Sequence, residues 1–141
     1  MVTFNKNFKY DLEFGEIREK KVSDILLNKK IEVKTERGLW QETGNIAIEV
    51  AYRGKKSGLA ATEADYWLHI LESNGQEFCS FLFPVEVLKK KIKELHLNSA
   101  HHSLGSFRQN HNGLRIVMGG DDNQSKLVLI PISKLFKIGI S

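Results

Sequence analysis

Two stretches of alternating residues decide most of what this chain can fold into. In IEVKTE, residues 31–36, Ile31, Val33 and Thr35 share one parity, and Glu32, Lys34 and Glu36 share the other. In NIAIEVAY, residues 45–52, Ile46, Ile48, Val50 and Tyr52 alternate with Asn45, Ala47, Glu49 and Ala51. A period of two places these sets on opposite faces of a β-strand, whereas a helix would scatter them around its axis. The loop between the runs is short and holds Gly38 and Gly44. It predicts that the two strands are antiparallel neighbours. With Ile31 and Val33 turned to the core, Glu32 and Lys34 face away from it, and Glu49 does the same on the second strand. The expectation is one sheet face that carries Glu32, Lys34 and Glu49.

Other segments give the rest of the order. From Leu12 to Leu27, Phe14, Ile17, Val22, Ile25 and Leu26 recur near helical spacing, with Glu and Lys between them and Asn28 as a stop. RGKKSG, residues 53–58, is a basic turn bounded by glycines. ATEAD fits a short helical turn capped by Thr62. DYWLHIL and EFCSFLF flank ESNGQ and predict a hairpin. Pro84 opens a second amphipathic helix, PVEVLKKKIKELHL. A long polar loop, AHHSLGSFRQNHNG, leads to two final strands, LRIVMGG and KLVLIPI, around a DDNQS turn. SKLFKIGIS reads as a short helix or a tail. Helices and strands in this order predict an α/β domain with a mixed, mostly antiparallel central sheet flanked by helices.

The chain has 141 residues, which fits one domain spanning 1–141. Hydrophobic residues make up 41% and charged residues 27%, a globular composition. No apolar run approaches the roughly 18 residues of a membrane span, and the first residues lack the pattern of a secretory signal. The single cysteine, Cys79, lies in FCSFLF and reads as a buried thiol in a reducing, cytoplasmic compartment. A formal net charge of +4 and a pI near 9.2 permit a polyanionic partner.

Clustered carboxylates beside a lysine suit metal-assisted hydrolysis. Oxygen ligands favour Mg²⁺ or Mn²⁺, a bound cation relieves the repulsion between carboxylates, and a lysine stabilises charge that develops on a phosphoryl group. The preceding helix offers Glu16 and Glu19 to the same edge. Alternating Glu and Lys is also the ordinary pattern of a solvated strand face, and spacing alone does not separate the two.

At IEVKTE the sequence resembles the E-x-K signature of the PD-(D/E)xK nuclease superfamily. FGEIREKKV, TGNIAIE and SGLAATEADYW extend the likeness, which covers roughly Phe14 to Trp67 and continues loosely into the helix after Pro84. The resemblance implies a restriction-endonuclease-like core, as in small phage and bacterial endonuclease-like proteins, and metal-dependent cleavage of DNA. It makes Glu32 a metal ligand and Lys34 the superfamily lysine, with Glu19 the first-helix glutamate and Glu16 its substitute. The acidic residue that should precede E-x-K on a strand has no clear counterpart, since Asp24 lies in a helical stretch. A second alignment makes Glu32 that acid and Glu49 the second ligand. Glu32, Lys34 and Glu49 serve in both alignments. The resemblance also implies a homodimer and a bacterial or phage-infected cell.

The expected site therefore holds Mg²⁺ or Mn²⁺ on Glu32, Glu49 and Glu19, with Lys34 assisting. Arg53, Lys55, Lys56 and Ser57 contact the phosphates of DNA. Lys89–Lys91 reads as the wet face of its helix. Trp40 stacks on a base or anchors its loop. Thr62 and Asp65 read as turn residues and Trp67 as core. His96, His101, His102 and His111 match no common zinc spacing, and Arg108, Gln109, Asn110 and His111 are candidates for DNA contact. GGDDN reads as a hairpin turn. The chain lacks phosphate-loop and dinucleotide glycine motifs. Beside the nuclease stand two alternatives: a catalytically inactive DNA-binding protein of the same fold, and a structural subunit whose charges solvate an edge.

Overall fold

A computed structural model of the protein describes residues 3–97 and 114–136. The elements in chain order are α1 (Thr3–Asn28), β1 (Ile31–Glu36), α2 (Leu39–Thr43), β2 (Asn45–Tyr52), β3 (Lys55–Lys56), a 3₁₀ turn (Gly58–Ala60), β4 (Tyr66–Ser73), β5 (Gln76–Pro84), α3 (Val85–Leu97), β6 (Arg115–Gly119), β7 (Ser125–Pro131) and α4 (Ile132–Leu135). The polar loop with His101, His102, Arg108, Gln109, Asn110 and His111 lies outside the described residues, as do the side chain of His96 and the last residues of the chain.

The architecture is mixed α/β and mostly antiparallel, but its strands form two sheets where one central sheet was expected. The first has three strands in the order β1-β4-β5, and the second has four in the order β3-β2-β7-β6. β1 runs parallel to β4, and the remaining pairings are antiparallel. β1 and β2 are therefore not ladder neighbours, which corrects the first expectation drawn from their short connection. Each has found a more apolar partner. β2 sets Ile46 and Ile48 beside Ile130 and Val128 of β7, while β1 lies at the edge of its sheet against β4. The space between them in sequence is taken up by α2, closed by Gly44 at φ 72°, whose N–H donates to Trp40 O at 2.9 Å.

Turn chemistry fixes the hairpins. Asn74 and Gly75 have φ of 52° and 77°, the paired left-handed geometry that a two-residue turn between twisted strands requires. This places the β4–β5 hairpin at ESNGQ, where it was predicted. Arg53 and Gly54 repeat the geometry between β2 and β3. Pro84 ends β5 rather than opening α3, and α1 begins earlier than its apolar periodicity suggested.

One core serves both sheets. Ile46 and Ile48 of β2 and Val128 and Ile130 of β7 pack in the same cluster as Trp67 and Leu71 of β4, Leu88 and Leu95 of α3, and Leu59 of the 3₁₀ turn. α1 contributes little: of its described side chains only Ile25 is buried, while Tyr10, Phe14, Ile17, Leu26 and Leu27 are exposed. Among the described residues, no helix is long and apolar enough to cross a membrane.

Candidate functional site

The faces of β1 are the reverse of those its composition suggests. Parallel pairing sets Glu32 beside Trp67, Lys34 beside His69 and Glu36 beside Leu71. Trp67, His69 and Leu71 are the buried residues of β4, so the charged parity of β1 lies on the core side of its sheet. Val33 falls on the other side, next to Leu68, and is 53% exposed. The reason lies in β4: its buried parity holds the large Trp67, and the ladder register then assigns the face of β1. Because β1 is an edge strand, its charges overhang the margin of the core and keep access to water.

Glu32 and Lys34 form an ion pair at 3.1 Å, with side chains 34% and 45% exposed respectively. The Lys34 ammonium also stands 5.9 Å from the centre of the Trp67 ring, within range of a cation–π attraction. Behind this pair lies a buried polar chain. The Trp67 indole N–H donates to His69 Nδ1 at 3.1 Å, and His69 Nε2 lies 2.8 Å from Glu36 Oε1. An indole nitrogen only donates, so Nδ1 is an acceptor and the ring hydrogen sits on Nε2, directed at the carboxylate. Glu36 Oε1 accepts a second hydrogen bond from the backbone N–H of Ala47, near the start of β2. β1 and β2 thus meet through one side chain, at the end of one strand and the beginning of the other. Sequence reasoning passed over His69 and Glu36. The available signal was parity, because His69 alternates with Trp67 and Leu71 in YWLHIL, and a histidine on a buried parity needs a polar partner.

Glu49 belongs to the other sheet. Its Oε2 accepts a hydrogen bond from Ser57 Oγ at 3.0 Å. Ser57 leads into the 3₁₀ turn, which packs so closely on β2 that a Cβ on Gly58 would lie 2.2 Å from the Glu49 carbonyl oxygen. β2 and this turn therefore hold Glu49 and Ser57 together, whereas Glu32 and Lys34 are held by β1. Glu16 and Glu19 are exposed on α1, and Asp24 Oδ1 accepts a bond from Asn28 within the helix at 2.5 Å. No described hydrogen bond or ion pair joins Glu16, Glu19 or Asp24 to Glu32, Lys34 or Glu49. Among the described residues, no group of three or more His, Cys, Asp or Glu side chains could hold a metal ion.

The basic hairpin stands next to Glu49. Lys55 and Lys56 are exposed on β3. Arg53 is engaged: its guanidinium lies 3.7 Å from Asp122 and 5.3 Å from the Tyr52 ring centre. The Tyr52 hydroxyl donates to Asp122, which holds the Asp122 carboxyl below the usual carboxylate range and pushes the Tyr52 phenol up. Asp122 also accepts from Gln124 N at 3.2 Å, inside the GGDDN turn. Trp40 is an anchor: its indole N–H donates to Glu72 O at 2.9 Å, and its ring stacks on Phe78 at 5.6 Å. Thr62 is a turn residue, accepting from Ala64 N at 3.2 Å, whereas Asp65 accepts from Lys30 N at 3.0 Å and so ties the entry of β4 to that of β1.

No family model, curated protein or solved structure matches the chain.

Proposed function

We propose that the protein is a metal-dependent DNA endonuclease whose chemistry centres on Glu32 and Lys34. The observation that carries this reading is the 3.1 Å ion pair between them, which overhangs a tryptophan on the core side of a strand. A charged pair on the buried parity of an edge strand contributes little to folding.

Carboxylate oxygens suit Mg²⁺ or Mn²⁺. Magnesium rarely takes an all-protein cage; it uses one or two carboxylates, several waters and substrate phosphate oxygens. Glu32, still open to solvent, supplies one carboxylate, and Glu49 is the candidate for a second. The ion would polarise a phosphoryl oxygen and acidify its bound water. The chain's own residues do the rest. Lys34 lends positive charge where the phosphate becomes more negative. The Trp67–His69–Glu36 chain keeps β1 in register, so that Lys34 and Glu32 stay on one face. Lys55 and Lys56 neutralise backbone phosphates without reading sequence.

A second reading, a DNA-binding protein without turnover, is favoured by a different observation: Glu49 is bonded to Ser57 in a sheet that does not contain Glu32. Plasmid nicking separates the two. In Mg²⁺ or Mn²⁺ the wild type converts supercoiled to open-circular DNA, EDTA stops it, and Glu32→Gln and Lys34→Met lose at least about 100-fold in rate, the scale of a lost charge-stabilising group. DNA binding with no nicking in any divalent metal leaves the second reading standing in its place.

A further inference from the structure

A groove of about 350 Å³ opens between the 3₁₀ turn and α3. Its lining has two chemistries. Val50, Leu59, Ala60 and Ile92 make an apolar floor, and Lys56, Lys89 and Lys93 stand around it. Two elements far apart in sequence supply these lysines. Lys89 and Lys93 are one helical turn apart on α3, and Ile92 between them shares their side of the helix. Lys56 comes from β3, placed opposite α3 because the 3₁₀ turn that follows it is packed against the Glu49 backbone at Gly58.

Like charges at i and i+4 repel across one turn of a helix, and a third lysine across the groove adds to the repulsion. Among the described residues, no carboxylate forms an ion pair with Lys56, Lys89 or Lys93. Charge complementarity therefore calls for a polyanion. The apolar floor asks in addition for a flat, weakly hydrated group between the phosphates. In duplex DNA the bases are stacked inside; in a single strand, base, sugar and phosphate are presented together, and an unstacked base or a sugar buries its apolar face against the aliphatic floor.

We infer that this groove binds single-stranded DNA, with Lys56, Lys89 and Lys93 on successive phosphates and a base or sugar on the Leu59–Ile92 floor. The inference rests on the DNA reading given above, but not on cleavage. It assigns α3 a part in substrate binding, and it places an unpaired strand beside the hairpin that leads from Glu49 to Ser57. A nuclease with such a groove would act on DNA that carries a single-stranded segment.

The test is fluorescence anisotropy of the full chain in EDTA, with a labelled single-stranded oligonucleotide and a duplex of equal length, titrated over a range of salt. Lys89→Gln/Lys93→Gln keeps the side-chain stems and the helix propensity, and thermal melting checks that it folds. Each phosphate contact on a single strand contributes about 0.7 to the slope of log affinity against log salt, so the slope falls by about 1.4 and affinity at ~0.1 M salt falls about 25-fold. Lys20→Gln/Lys21→Gln, on α1, removes the same charge and leaves affinity within about threefold by the same reasoning. Ala60→Glu sets a carboxylate on the floor and weakens the single strand more than the duplex. The inference is overturned if the wild type binds no single strand, if the α1 control costs as much as the groove variant, or if the groove variant weakens duplex and single strand alike. Binding that follows the groove, with no cleavage in any divalent metal of either plasmid or a duplex that carries a single-stranded segment, overturns the nuclease reading alone.

Discussion

Glu36 Oε1 lies 2.8 Å from His69 Nε2 and also accepts the backbone N–H of Ala47, so one carboxylate oxygen ties the edge of one sheet to the first strand of the other. His69 is 1% exposed, so its ring N–H depends on this partner. Glu36→Ala leaves a buried ring N–H and a backbone N–H unpaired at once. The expected loss is about 2–4 kcal/mol, the sum of two such penalties. Glu36→Gln retains an acceptor oxygen and costs less. Urea denaturation of the three proteins checks the order, wild type above Gln above Ala. Equal stability of the Ala variant would show that the two sheets are held by packing alone.

Gly58 has φ 52°, and a Cβ there would meet the Glu49 carbonyl oxygen at 2.2 Å. Relief requires lifting the 3₁₀ turn off β2, which pulls Leu59 from the core and Ser57 from Glu49. Gly58→Ala therefore destabilises by about 2–4 kcal/mol, combining the left-handed backbone with overpacking. Gly15 supplies the contrast. It lies within α1 with nothing within 4 Å of its would-be Cβ, so Gly15→Ala stabilises by up to about 1 kcal/mol through helix propensity. Opposite shifts of melting temperature are the expected result, and a tolerated Gly58→Ala would mean that the turn is not seated as described.

Period and turn chemistry were readable where they act locally. Alternation in NIAIEVAY, the NG dipeptide at 74–75 and the amphipathic pattern after Pro84 each correspond to an element found in place. Pairing between distant segments was not readable. That β1 joins β4 rather than β2 depends on which apolar surfaces match once the chain is compact, and nothing in IEVKTE encodes it. The same limit inverted the faces of β1. Its own composition turns Val33 inward, but the ladder with β4 puts Glu32 and Lys34 on the side of Trp67. Within the candidate site, the local pair Glu32–Lys34 was visible, being two residues apart on one strand. The Glu36–His69 contact and the Lys56–Lys89–Lys93 groove required the fold.

The Tyr52–Asp122 contact gives the protein two opposite pH responses. Its hydrogen bond holds the Asp122 carboxyl below its ordinary range, so its contribution is present at neutral pH and fades as pH falls below about 3.8, through the folded value. The Tyr52 phenol is raised, chiefly by the same bond. Its contribution is complete below the unfolded value of 10.0 and fades as pH rises through the folded one. Both groups are on the surface, so the effects are small. Tyr52→Phe deletes the bond, and its melting temperature should approach that of the wild type at both extremes while lying slightly below it near pH 7. A constant difference from pH 3 to 11 would show that the bond does not form in solution.

Glu32 and Lys34 allow structural and chemical roles to be told apart, because their pair is exposed enough for the two to differ in size. Both side chains reach solvent, so the ion pair together with the Trp67 contact is worth about 1 kcal/mol. A double-mutant cycle of Glu32→Gln and Lys34→Met, followed by urea denaturation, should return a coupling of that size and leave each variant folded at 25 °C. If the pair is the chemical centre, the same substitutions each remove at least about 100-fold of nicking rate, a loss of some 2.7 kcal/mol in the transition state. The excess over the folding effect is the signature of a residue kept for reaction. It should also be non-additive, because the ion held by Glu32 and the Lys34 ammonium would act on the same phosphoryl group, and the double variant falls no further than the worse single one. Coupling of several kcal/mol in folding with unchanged nicking would reverse the assignment and make the pair a strut of the β1 edge.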